Sequence, residues 1–80
     1  MFINKTPDGK CNICGPNVKT RRKEKDLSQR QFAEKLQLLG LEIDKNAIQR
    51  IECGKRFVPD TELKTIAKAL GCSVIELLKE

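Results

Sequence analysis

The sequence predicts an all-α domain of five short helices behind an irregular N-terminal arm. Three observations carry this expectation. Apolar residues recur at three- and four-residue intervals in successive stretches, as along one side of a helix. Ser28-x-x-Gln31 and Ser73-x-x-Glu76 are capping boxes, and Gly40, Gly54 and Gly71 stand where helices would stop. No stretch alternates apolar and polar residues over a useful strand length.

Residues 1–16 read as an arm. Pro7, Asp8, Gly9, Gly15 and Pro16 are turn-formers, and Phe2 and Ile3 follow no period. Residues 17–80 form the folded unit. Pro16 suits a first helical turn, and NVKTRRKEKD continues without a breaker. Val18 is the clearest apolar contact of this polar helix, and Leu27 closes the turn after it. Ser28 caps a second helix with Phe32, Ala33, Leu36 and Leu39 at helical spacing. Leu41 and Ile43 carry the apolar lining through a turn to Asp44, the expected N-cap of a third helix. Asp60 is the expected cap of a fourth, whose Leu63, Ile66, Ala67 and Leu70 form an i, i+3, i+4, i+7 stripe. Val74, Leu77 and Leu78 form the apolar face of the fifth. There is no internal repeat and no low-complexity segment.

Eighty residues suffice for one small domain. The net charge is +5 and is uneven. Residues 1–59 hold 13 basic and 7 acidic side chains, residues 60–80 hold 3 and 4. A basic first part with a near-neutral tail suggests a polyanion surface on one side. Three aromatics, all Phe, argue against an extended base-stacking platform. No apolar run approaches the roughly 18 residues of a membrane span. MFINKTPDGK lacks the apolar core of a signal peptide, so a cytoplasmic protein is expected. In that compartment the four cysteines are expected as thiols rather than disulfides.

The third helix is the informative one. In KNAIQRIECGK, Ala47, Ile48 and Ile51 suit a core-facing side. Lys45, Asn46, Gln49, Arg50 and Lys55 are left pointing elsewhere, all of them hydrogen-bond donors and none negative. Two helices joined by a turn, the second short and outwardly polar, suggest a helix-turn-helix. LSQRQFAEKL, IDKNAIQRIECGKR and LKTIAKALGCSVIELL, in that order, resemble the Cro/repressor-type (XRE-like) helix-turn-helix family over residues 17–79. The fold this implies is a compact five-helix repressor-like domain.

The resemblance implies roles for particular residues. Gln29, at the start of the second helix, matches a position that contacts a DNA phosphate, and a helix N-terminus suits an anion. The helix from Lys45 to Cys53 matches the recognition helix, which lies in the major groove and reads base edges. Lys45 and Asn46 occupy its leading edge, with Gln49 and Arg50 one turn later. Lys and Arg donate to guanine O6 and N7, and Asn and Gln pair bidentately with adenine. Ala47 either touches a thymine methyl or packs, and packing is the expectation. Lys55 and Arg56 match groups that contact the DNA backbone without reading sequence. Lys19, Arg21, Lys23 and Lys25 either add positive potential or form a solvated face. Arg22 and Glu52 match an ion pair joining the first and third helices, so Arg22 is expected to be structural. One departure concerns the turn. Seven residues, QLLGLEI, separate Leu36 from Asp44 where the family usually needs a couple, so the second helix is expected to run one turn further, to Leu39.

Cys11-Asn-Ile-Cys14 has the spacing of zinc knuckles and redox motifs. Without histidine or a second C-x-x-C, a four-ligand zinc site is incomplete. The plain expectation is incidental thiols on a mobile arm, with Cys53 and Cys72 packed or half-exposed. No catalytic residue, metal ligand or cofactor is assigned, and a small-molecule ligand is not expected. The expected function is sequence-specific recognition of double-stranded DNA by a homodimeric transcriptional regulator acting by occupancy, not catalysis. The twofold contact is expected through Val74, Ile75, Leu77 and Leu78, with the arm as the alternative. Two rivals remain: an antitoxin-like protein-binding module, and a thiol- or metal-responsive DNA-binding sensor.

Overall fold

The structure, a computed structural model, describes residues 9–79. The expectations for Phe2, Ile3, Pro7 and Asp8 lie outside the described residues. Five helices run in order: α1 Gly15–Glu24, α2 Gln29–Leu38, α3 Lys45–Glu52, α4 Asp60–Leu70 and α5 Val74–Leu77. There is no strand among the described residues. The packing of α2 on α3, and of α1 on α3, α4 and α5, encloses one core. Phe32, Leu36, Ile48, Ile51, Ile66, Leu77 and Val18 are its fully buried members.

The ends of the helices follow from local chemistry. Both capping boxes form: Ser28 and Ser73 accept the N3 amides of Gln31 and Glu76, which reach back to the cap N–H groups. Asp44 Oδ1 accepts the Ala47 N–H at 2.8 Å, capping α3. At the other end of α3, Gly54 has φ +77°, a conformation that disfavours any side chain. That turn brings the Gly54 N–H to the Ile51 carbonyl and the Lys55 N–H to the Arg50 carbonyl, closing both with the Schellman pattern. The same pair of bonds ends α1, where Asp26 takes the left-handed position at φ +56° without being a glycine.

Several expectations are corrected. Asp60 does not cap α4; Pro59 occupies the cap position with extended backbone, and Asp60 begins the helix. There its carboxylate, with that of Glu62, favours the positive end of the helix dipole instead. Leu39 lies outside the core, 41% exposed at the end of α2. The extra turn does form, since α2 runs to Leu38 with Leu39 as its C-cap. Cys14 is not an incidental thiol on a mobile arm. It is the N-cap residue of α1 and only 2% exposed, one helical face with Val18 and Arg22 at i+4 and i+8.

Candidate nucleic-acid interface

A polar face needs support from beneath, and α3 has it. Ile48 and Ile51 are fully buried, which fixes the rotation of the helix about its axis. Lys45, Asn46, Gln49 and Arg50 are thereby all exposed, and Ala47 is half-buried beside the core, as packing requires. None of the four polar side chains has a hydrogen-bond or ion-pair partner among the described residues. Their donors therefore face solvent on a rigid platform. No acidic residue lies in the first turn of α3. The Asp44 carboxylate at the N-cap offsets the positive dipole end, so the charge of this face comes from Lys45 and Arg50.

The platform is held by a buried ion pair. Arg22 Nε donates to Glu52 Oε2 at 2.7 Å, and Nη2 donates to Oε1 at 3.1 Å. The side chains are 9% and 2% exposed. Arg22 Nη1 also donates to the Leu27 carbonyl at 2.7 Å, so one guanidinium ties α1, the loop after it and α3 together. Arg22 thus faces inward, as expected. Gln29 completes the cluster by donating from Nε2 to Glu52 Oε1 at 3.1 Å. Its side chain is committed to the protein, and the group left for an anion is the N–H of the first turn of α2.

Arg56 is committed too. Its Nη1 and Nη2 donate to Glu62 Oε1 and Oε2 at 2.6 and 3.1 Å. The hydrogen bond to Glu62 holds the Arg56 guanidinium above its ordinary pKa, against a smaller opposing effect of burial. Lys55, its neighbour, is exposed and unpaired among the described residues. The turn between α2 and α3 is fixed by Gln37, whose Nε2 donates to the Ile43 carbonyl at 2.8 Å. An open groove beside it is lined by Gln37, Glu42, Ile43, Asp44, Ala47 and Arg56.

Asn12 was not among the expected functional residues. Its side-chain amide donates to the Ile51 carbonyl at 3.1 Å and the Arg56 carbonyl at 2.7 Å, while its oxygen accepts the Gly15 N–H at 2.8 Å. The Cys11 N–H reaches the Gly54 carbonyl at 2.8 Å, and Lys10 Nζ reaches that of Cys53 at 3.2 Å. Residues 10–15 therefore brace the C-terminal end of α3. Gly15 permits the close approach, because a Cβ there would collide with the Ile51 carbonyl oxygen. An Asn three residues before a Gly-Pro helix start is the one local signal that could have pointed to it.

Among the described residues, no group of three or more Cys, Asp or Glu side chains is arranged to hold a metal ion. No helix among them is long and apolar enough to cross a membrane. A short helix seated on its apolar side, with an unpaired row of donors outward, following a capped helix across a fixed turn, defines a helix-turn-helix DNA-binding regulator. The chain belongs to the helix-turn-helix family, whose model matches residues 18–77, and within it to the Cro/repressor type. Two solved structures share the fold. One is a hypothetical transcription factor, NHTF, from Neisseria, with a TM-score of 0.73 and 21% identity over 84% of this chain and 71% of that one. The other is the clp gene regulator ClgR from Corynebacterium glutamicum, with a TM-score of 0.72 and 24% identity over 84% of this chain and 66% of that one. No curated protein sequence matches the chain.

Proposed function

We propose that the protein recognises a specific double-stranded DNA sequence through the exposed face of α3 and regulates transcription by occupying that site. The observation that carries this is the combination on α3 of two buried isoleucines and four outward, unpaired donors. Lys45, Asn46, Gln49 and Arg50 read base edges, Asn46 and Gln49 favouring adenine and Lys45 and Arg50 favouring guanine. Lys55 holds a backbone phosphate beside the end of α3, and the first-turn N–H groups at Gln29 hold another. Arg56 stands close enough to contribute, but only by loosening its bond to Glu62. Occupancy of an operator near a promoter represses, and no reaction is required of the protein.

A single helix of this size reads too few base pairs for one genomic site. The protein is therefore proposed to act as a twofold homodimer, with two α3 helices about 34 to 36 Å apart on one face of the duplex. Leu77 is buried in the protomer's own core, but Ile75 on α5 is 74% exposed and Leu78, its C-cap residue, 43%. Those two side chains form the proposed contact. Selection of bound duplexes from a random library at physiological salt tests the whole reading. A site with inverted symmetry should emerge. Retention of all sequences alike would refute specific recognition, and a motif without symmetry would refute the dimer.

A further inference from the structure

The turn that follows α3 is held by a segment that lies before the family match, which begins at residue 18. The backbone carbonyls of Ile51, Cys53, Gly54 and Arg56 all accept hydrogen bonds from residues 10–12. Asn12 holds the first and the last of the four. We propose that Asn12 is a positioning residue for DNA binding. It fixes the turn that carries Lys55, so that the lysine meets a phosphate on backbone already in place.

The amide nitrogen of Asn12 carries two hydrogens, and each has its own carbonyl. One bond runs to Ile51, in the last turn of α3, at 3.1 Å. The other runs to Arg56, in the loop beyond, at 2.7 Å. A single side chain therefore sets the span between the two ends of the turn. Its oxygen accepts the Gly15 N–H at 2.8 Å, which ties that span to the start of α1, a helix that itself packs on α3. The stem of Lys10 lies against Gly54, where any added side chain would collide with it.

Lys55 sits inside this span. Its own N–H donates to the Arg50 carbonyl at 2.8 Å. The carbonyl of Gly54 before it accepts the Cys11 N–H at 2.8 Å. The carbonyl of Arg56 after it is held by Asn12, and the Arg56 side chain is tied to Glu62. The backbone is thus fixed on both sides of Lys55 while its side chain is exposed. A loose turn would have to be ordered when a phosphate binds, and that cost subtracts from affinity. A turn already ordered in the free protein avoids it. The contact reads no base, so the effect of Asn12 falls on affinity and leaves base preference unchanged. The inference rests on the proposed phosphate contact of Lys55.

Two variants of the full chain, shown to be folded by circular dichroism, separate this bridge from the local turn at α1. Asn12→Ser still offers an acceptor to the Gly15 N–H, but its single O–H cannot donate to two carbonyls. Asn12→Ala removes all three bonds. Both should lower affinity for the selected duplex by roughly three- to tenfold, and by no more than Lys55→Ala does. The deciding measurement is a double-mutant cycle. With Lys55→Ala already present, Asn12→Ser should change affinity by less than about twofold, the ordinary scatter of such cycles. A merely structural Asn12 would weaken binding equally in both backgrounds, and that result would overturn the proposal. So would an Asn12→Ser protein that binds like the wild type. Without DNA, amide hydrogen exchange at Lys55 should rise roughly fivefold in Asn12→Ser, the factor for losing about one hydrogen bond. Unchanged exchange there would show the turn ordered without Asn12, and would also overturn it. A wild-type chain that binds no duplex would refute the DNA-binding reading and the proposal with it. Binding that survives Asn12→Ser undiminished would refute the proposal alone.

Discussion

Replacing Arg22 by Met separates its structural role from a DNA-contacting one. The substitution keeps the aliphatic stem and removes three hydrogen bonds, two to Glu52 and one to the Leu27 carbonyl. Glu52, with its side chain 2% exposed, keeps only Gln29 as a partner. Removing one member of a buried pair costs about 3 to 5 kcal/mol. The Gln29 amide offsets part of this, so we expect the low end, about 3 kcal/mol. At roughly 4 to 8 °C per kcal/mol for a domain of this size, the melting temperature should fall by roughly 12 to 24 °C. Circular dichroism melts without DNA read this directly. The double variant Arg22→Met/Glu52→Met should recover most of the loss, since a buried pair replaced by apolar side chains is often neutral. An unchanged melt with DNA affinity reduced would refute the reasoning and move Arg22 to the DNA surface. A double variant no better than the single one would refute the account of an orphaned carboxylate.

Four other outcomes follow from the same geometry. Asn46→Ala and Arg50→Ala should each cost roughly 1 to 3 kcal/mol on the selected site and relax preference at particular base pairs, measured by anisotropy titration against single-base variants. Lys55→Ala should weaken binding to every duplex alike and reduce the magnitude of the salt slope by about one; an intact slope would argue against a phosphate contact. Asp26→Gly should raise stability by about 0.5 to 1 kcal/mol in a denaturant melt, because a glycine takes φ +56° without strain and removes a negative charge from the C-terminal end of α1. Glu76 accepts hydrogen bonds from the Ser73 backbone N–H and hydroxyl and pairs with Arg21, which hold its pKa below the ordinary value. A carboxylate depressed by folding stabilises above its unfolded pKa, and that contribution is lost as pH falls through the folded value. The Ser73 amide resonance should therefore shift on acidification through and below the ordinary glutamate range, and Glu76→Gln should remove that step.

Most of the fold was legible because its signals are local. Capping boxes at Ser28 and Ser73, the Asp44 cap and the left-handed glycines each act within a few residues. The cap of α4 was misplaced because Pro59 is itself extended and starts the helix without a side-chain bond. The outward face of α3 was readable because Ile48 and Ile51 set its rotation. What the sequence hides are commitments between elements. Gln29 to Glu52 and Arg56 to Glu62 are partnerships across a fold, and both reduce what those side chains offer to DNA. Cys14 was misread because Gly15 and Pro16 resemble a turn, when they are the first residues of α1. Its place at i−4 from Val18 becomes meaningful only once the helix is known to start there.

Chemical-shift mapping of the labelled protein against its selected duplex is the most direct test of the central claim. The largest changes should fall on the amides of Lys45, Asn46, Gln49 and Arg50, with a second set at Lys55 and the start of α2. Changes concentrated instead on the exposed lysines of α1, with the amides of α3 unmoved, would contradict it.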